Sequence, residues 1–138
     1  MALFVPKKVY YEKEVENYPL GRELLDRYTK QEIELIEIES HNKIPELREL
    51  PDSEFVKMKK YLILGVRKTT RLIPNNRSAD FIVPFTSSGC SAMCLYCYLV
   101  CTFFKNSYLR VFVNREQMMD QVRKKAAGLG EDRVFEIG

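Results

Sequence analysis

Cys90, Cys94 and Cys97 stand at C-x3-C-x2-C spacing within Gly89-Cys90-Ser91-Ala92-Met93-Cys94-Leu95-Tyr96-Cys97-Tyr98. Iron–sulfur clusters use thiolate ligands, and three thiolates this close can hold three corners of a four-iron cluster. One iron then stays open to a substrate or cofactor. Other uses of cysteine compete with this. Disulfides belong to oxidising compartments, and the first residues, Met1-Ala2-Leu3-Phe4-Val5-Pro6-Lys7-Lys8, are charged too early for a secretory signal. Structural zinc usually draws on two separated ligand pairs, and no second pair is present. Inert buried cysteines are common singly, not at this density. Cys101 brings the run near a ferredoxin spacing, but the first spacer is one residue too long and Thr102 replaces the proline. The expectation is a cluster on Cys90, Cys94 and Cys97, with zinc or ferredoxin-like ligation as alternatives.

Charge is distributed unevenly around this stretch. Between Glu12 and Glu54 there are 13 acids against 6 bases, whereas from Phe55 to Arg115 Asp80 is the only acid against 10 bases. A field of one sign around a reactive loop favours a polyanion, nucleic acid first. Arg67, Lys68 and Arg71 follow an apolar run and are candidates for phosphate contacts; a solvated turn is the alternative. His41 is the only histidine. Within Ser40-His41-Asn42 it reads as a hydrogen-bonding knot rather than an acid–base group, since no partner is visible.

The elements that must position these residues are those of an α/β chain. Its 138 residues with 46% hydrophobic content suit one ordinary domain. No apolar run is long enough for a transmembrane helix, so the cytoplasm is the default expectation. Phe4 to Tyr11 alternates poorly and reads as an extended arm or short strand. Pro19 suits a first helical position, and Leu20, Leu24 and Tyr28 recur at helical spacing, so Pro19 to Lys30 is a helix that Gly21 weakens slightly. Ile33 to Ile38 reads as a strand. The residues from Pro45 to Asp52 read as a loop, and Asp52 or Ser53 can cap a short helix to Lys60. Tyr61-Leu62-Ile63-Leu64-Gly65-Val66 has the continuous apolar character of a buried strand.

Pro74-Asn75-Asn76 is turn chemistry and the candidate boundary between a domain at 1–76 and a second at 77–138. Phe81 to Thr86 is the next strand, and the cysteines lie after its C-terminal end, where α/β barrels keep their chemistry. Leu109 to Val113 is extended. Asn114 is placed to cap a helix, with Gln117 at the reciprocal capping-box position and Gly128 as its end. Arg133 to Ile137 is a last strand. The expected fold is a small N-terminal α/β unit followed by the first βαβ unit of a partial (β/α) barrel, incomplete at the C-terminus.

C-x3-C-x2-C followed by an aromatic resembles the signature of radical S-adenosylmethionine enzymes. In that superfamily the open iron is chelated by the amino and carboxylate groups of S-adenosylmethionine, and an electron from the cluster cleaves the sulfonium to a 5′-deoxyadenosyl radical. A closer likeness spreads over most of the chain. Phe4-Val5-Pro6-Lys7, Tyr18-Pro19-Leu20-Gly21, Ser40-His41-Asn42, Gly65-Val66-Arg67-Lys68-Thr69, Cys94-Leu95-Tyr96-Cys97-Tyr98-Leu99 and Tyr108-Leu109-Arg110-Val111-Phe112-Val113-Asn114 resemble the spore photoproduct lyase family, in its order.

That resemblance implies a cytoplasmic DNA-repair lyase of bacterial spores. Its substrate is DNA carrying the thymine dimer 5-thyminyl-5,6-dihydrothymine, and its cofactors are a 4Fe-4S cluster and S-adenosyl-L-methionine. A flavodoxin or ferredoxin would donate the electron. Cys90, Cys94 and Cys97 match the cluster ligands, and Tyr96 and Tyr98 match tyrosines that assist radical transfer near the cofactor; for Tyr98, packing beside the cluster is the alternative. Cys101 falls where the family has no ligand. Ala92-Met93 departs from the small-plus-polar pair that commonly precedes the second cysteine, which bears on the cluster's hydrogen bonding and not on its ligation.

Family members are much longer. Their hydrogen-donating cysteine, most cofactor contacts and the lesion pocket correspond to positions beyond Gly138. The chain therefore reads as an N-terminal portion, from a truncated gene or a split subunit completed by a second chain, and is expected to be inactive alone. The alternatives are a non-catalytic nucleic-acid-binding module with a zinc or iron–sulfur site, or a radical S-adenosylmethionine enzyme for another substrate.

Overall fold

Along Tyr61–Gly65 the side chains alternate between two cores. Leu62 and Leu64 join Val9, Val15, Tyr28, Val66 and Val113 in one cluster, and Ile63 joins Tyr10, Ile44, Leu47, Met58 and Tyr108 in another. This is the period-2 signature of a strand buried on both faces. The computed structural model describes residues 4–92, 94, 96–98, 108–130 and 132–137. They form a mixed α/β chain that divides into two compact units, 1–66 with 87–113 and 67–86 with 114–138. The stretch expected as a second domain, 77–138, contributes to both.

The first unit holds strands β1 (Lys8–Glu12), β2 (Glu34–Ile38), β3 (Tyr61–Gly65), β6 (Ser87–Ser88) and β7 (Leu109–Phe112), in sheet order β2-β1-β3-β7-β6. The first four in that order are mutually parallel, and β6 runs antiparallel to β7. Helix α1 (Pro19–Lys30) supplies Leu20, Leu24 and Leu25 to the first core cluster. Short helices α2 (Pro45–Glu49) and α3 (Phe55–Met58) supply Leu47 and Met58 to the second. The sheet is thus covered on both sides, as a parallel sheet requires.

Of the two readings of Phe4 to Tyr11, arm or short strand, the strand holds: its second half is β1, paired on both sides within the sheet. Two local expectations for this unit change. The Pro45 loop is a helix, because Pro45 sits at a first helical position and Glu46 anchors the turn, accepting from Tyr10 Oη at 2.6 Å and Lys8 Nζ at 3.1 Å. Gly21 is no mere weakness in α1. A Cβ there would lie 2.0 Å from the Val15 carbonyl oxygen, so the 3-10 turn Lys13–Asn17 approaches α1 only over a glycine.

The second unit holds β4 (Ile73–Pro74), β5 (Phe81–Val83), β8 (Phe135–Ile137) and helix α4 (Arg115–Leu129). The β4–β5 hairpin closes on Asn75, whose N–H donates to the Asp80 carbonyl and whose side chain accepts from Arg77 N–H. Strands β5 and β8 are parallel, so the expected βαβ unit is present, with α4 in its crossover. Two expectations for α4 fail. Asn114 begins the helix but its side chain makes no capping bond, being engaged by Arg67. The helix also runs past Gly128 to Leu129 and ends on Gly130 in the left-handed region, φ 63°. Among the described residues no helix is long and apolar enough to cross a membrane.

Candidate functional site

Gly89 sets the entry to the cysteine loop. It follows β6 with φ +83°, and a Cβ on it would sit 2.0 Å from the Tyr108 carbonyl oxygen. Only glycine takes this backbone conformation at so close an approach. Ser87 and Ser88 pair with Val111 and Arg110, so the loop leaves the sheet beside β7. Cys90 and Cys97 are half-buried, Cys94 is exposed, and none of the three is disulfide-bonded. The Ala92 N–H donates to Cys90 Sγ at 3.3 Å. A backbone donor of this kind orients the sulfur. Tyr96 and Tyr98 are 96% and 73% exposed, so both rings stand in solvent beside the cysteines. Cys101 lies outside the described residues.

Thiolates are the donor type that iron–sulfur clusters use. Among the described residues no three His, Cys, Asp or Glu side chains gather where a single metal ion could sit.

The C-terminal ends of the parallel strands are joined by a group that sequence reasoning missed. Glu12, at the end of β1, is buried. Its Oε1 accepts from His41 N–H at 2.8 Å and from the His41 ring nitrogen Nδ1 at 2.7 Å, and its Oε2 accepts from Val66 N–H at 2.8 Å. Burial opposes its ionisation, but the His41 ring and the two backbone donors outweigh burial and hold the carboxyl below its ordinary range. The His41 ring meets Phe112, the last residue of β7, edge to face at 5.1 Å. His41 is therefore the knot the sequence suggested, with a partner 29 residues away. Nearby, Arg110 Nη1 donates to Asn42 Oδ1 at 2.9 Å and its guanidinium lies 5.6 Å from the Tyr108 ring centroid. Burial pushes the Tyr108 hydroxyl pKa up, against the pull of the Arg110 and Arg48 charges.

The basic candidates occupy the second unit. Arg67 is fixed by its backbone, which exchanges two hydrogen bonds with the buried Asn114 side chain at 2.9 and 2.8 Å, and its Nη1 reaches the Phe85 carbonyl at 3.4 Å. Lys68 and Arg71 are exposed. Arg71 lines two adjacent cavities, of about 470 and 270 Å3, and Arg67 lines the smaller. Lys124 and Lys125, not singled out in the sequence, line the larger. Only their spacing from Gln121 on one helical face could have pointed to them.

Comparison with known proteins gives a consistent result. The family described as spore photoproduct lyase matches residues 4–133. The chain is 39% identical over 127 residues to a spore photoproduct lyase of Geobacillus sp. (strain Y412MC61), covering 90% of this chain and 36% of that protein. To the one from Bacillus subtilis (strain 168) it is 38% identical over 125 residues, covering 88% and 35%. A solved spore photoproduct lyase complexed with dinucleoside spore photoproduct superposes with a TM-score of 0.81 at 35% identity, covering 98% of this chain and 40% of that one. A mutant lyase with bound AdoMet and dinucleoside spore photoproduct gives 0.82 at 34% identity, with the same coverage. The chain therefore spans a little over a third of the length of these curated relatives.

Proposed function

Because this chain belongs to the spore photoproduct lyase family, we propose that it is the N-terminal portion of a radical S-adenosylmethionine enzyme that reverses the dimer 5-thyminyl-5,6-dihydrothymine in DNA. Cys90, Cys94 and Cys97 would hold the 4Fe-4S cluster. When bound, such a cluster supplies an electron for cleavage of S-adenosylmethionine at its open iron. The chain's own residues serve that chemistry in three ways. Gly89 lets the loop turn against β7. The Ala92 N–H donates to the Cys90 sulfur, a hydrogen bond of the kind that orients a metal ligand. Tyr96 and Tyr98 present exposed phenols, each able to donate a hydrogen atom or to stack on a base. In this reading a flavodoxin or ferredoxin supplies the electron, the protein works in the cytoplasm, and 77–138 begins a partial barrel. The hydrogen donor and lesion pocket belong to the length of the relatives that this chain does not span, supplied by further chain or a second subunit.

The observation that carries the reading is the C-x3-C-x2-C loop with a sulfur-directed N–H, in a chain matched to the family over 4–133. Anaerobic reconstitution with iron and sulfide tests it. The chain should turn brown, with a broad thiolate-to-iron band near ~400 nm, and S-adenosylmethionine should perturb the electron paramagnetic resonance signal of the reduced protein. Cys90→Ala, Cys94→Ala and Cys97→Ala should each abolish the band. A chain that stays colourless, or a band that survives all three substitutions, would falsify the assignment. The same reconstituted sample, given lesion-bearing DNA, should not turn over; repeated repair by the isolated chain would show that the missing length is not required.

A further inference from the structure

Gln121, Lys124 and Lys125 fall at i, i+3 and i+4 on α4 and share one face of the helix. That face lines the cavity of about 470 Å3, opposite Thr70, Arg71 and Phe81. Three cations, a hydroxyl and an amide thus meet one space whose wall contains no carboxylate. Among the described residues none of the three cations is in an ion pair. Four of the unit's six acids are engaged elsewhere: Asp80 with Arg133 at 3.3 Å, Glu116 with Arg115 at 3.3 Å, Asp120 with Arg123 at 3.0 Å, and Glu136 with the Ser78 hydroxyl. The Phe81 ring is already occupied, by Lys125 Nζ at 5.0 Å from its centroid and by Phe135 stacked at 5.5 Å. The cavity therefore offers charge and hydrogen-bond donors rather than a stacking platform.

Its extent argues for more than one anion. The second cavity, about 270 Å3, shares Arg71, Leu72 and Pro74 with the first and adds Arg67, Thr69, Ile73 and Pro84, so its cations stand on a largely apolar wall. Cations thus run from Arg67 through Arg71 to Lys124 and Lys125 across both spaces. Net charge follows the same division. The second unit has nine bases against six acids, while the first has thirteen of each, so the whole net charge of +3 belongs to the unit with these cavities.

We propose that the two cavities form a site for successive phosphates of a DNA backbone. The choice of DNA among polyphosphates rests on the function proposed above; the need for several phosphates rests on the run of cations. Backbone contacts of this kind position a duplex without reading its sequence.

The test is fluorescence anisotropy of the 138-residue chain with a short undamaged duplex over a range of salt. Lys124→Gln with Lys125→Gln should weaken binding about tenfold or more and lower the slope of log affinity against log salt by ~2, about one for each phosphate that the variant no longer neutralises. Arg115→Gln with Arg123→Gln removes the same charge from outside the cavity and should lower the slope by less than half as much. Equal effects of the two pairs, or no effect of the first, would overturn the site. Displacement of the duplex by inorganic phosphate, at fixed ionic strength and at concentrations matched in phosphate, would mark a small-anion site and overturn the DNA assignment. A chain that fails to take up a cluster yet shows the slope difference would sink the lyase reading and leave this site standing. A chain that takes up the cluster and shows no slope difference would do the reverse.

Discussion

The single carboxylate of Glu12 fixes three strand ends at once. It accepts His41 N–H, the His41 ring and Val66 N–H, at 2.7–2.8 Å, from a buried position. Glu12→Gln keeps the shape but leaves one oxygen for three donors and turns an NH2 group toward at least one of them. A buried donor left facing a donor costs about 1–3 kcal/mol, so urea unfolding near neutral pH should show a loss of about 2 kcal/mol. The sign of the pH dependence follows from the direction of the shift. The folded carboxyl titrates below its ordinary value of 4.5. Its stabilisation is therefore complete above that value and is lost as pH falls through the folded pKa. Wild type should lose stability on acidification, and the gap to Glu12→Gln should narrow as it does. A gap that is constant from neutral to acid would mean that Glu12 does not titrate with folding.

Asn114 decides how α4 is attached, and sequence logic and structure disagree about its role. As an N-cap, Asn and Asp are interchangeable. In the folded chain Asn114 Nδ2 instead donates to the Arg67 carbonyl at 2.8 Å and to Gln117 Oε1 at 3.0 Å, while Oδ1 accepts Arg67 N–H at 2.9 Å. Asn114→Asp replaces the donor with an oxygen facing two acceptors, and should cost about 2 kcal/mol, measured by thermal or urea unfolding. A neutral or stabilising result would restore the capping role. Elements were legible where the signal is local. Pro19 with leucines at helical spacing marked α1 at its observed bounds, and the unbroken apolar run marked β3. Strand β1 was legible only as arm or short strand, because a parallel strand with partners on both sides has lost the alternation that identifies half-buried strands. The cysteine loop was legible as a motif because Cys90, Cys94 and Cys97 are spaced along the chain itself. The contacts of Glu12 and Asn114, and the cavity that Lys124 and Lys125 share with Arg71, were not, because their partners lie dozens of residues away.

At the scale of the whole chain, the two units differ in how they are held. The first has a five-stranded sheet with a core on each face. The second has strands of two or three residues, and Ile73, Phe85, Val134 and Ile137 stand at least half exposed there. Apolar surface left in water contributes nothing at about 25 cal/mol per Å2, and sheets of such short strands are marginal without a covering layer. Stability should therefore be uneven, with the second unit opening before the first. Native-state hydrogen exchange resolves this. Amides of Val9, Tyr10 and Leu62 to Leu64 should exchange only through global unfolding, with a steep dependence on denaturant. Amides of Phe81 to Val83 and Phe135 to Ile137 should exchange at a lower free energy that denaturant changes little. Lys124 and Lys125 belong to that less stable unit, so duplex DNA bound at their cavity should slow exchange there while leaving the first unit's central strands unchanged. A common free energy for both sets of amides would mean one cooperative body, and DNA would then protect both alike.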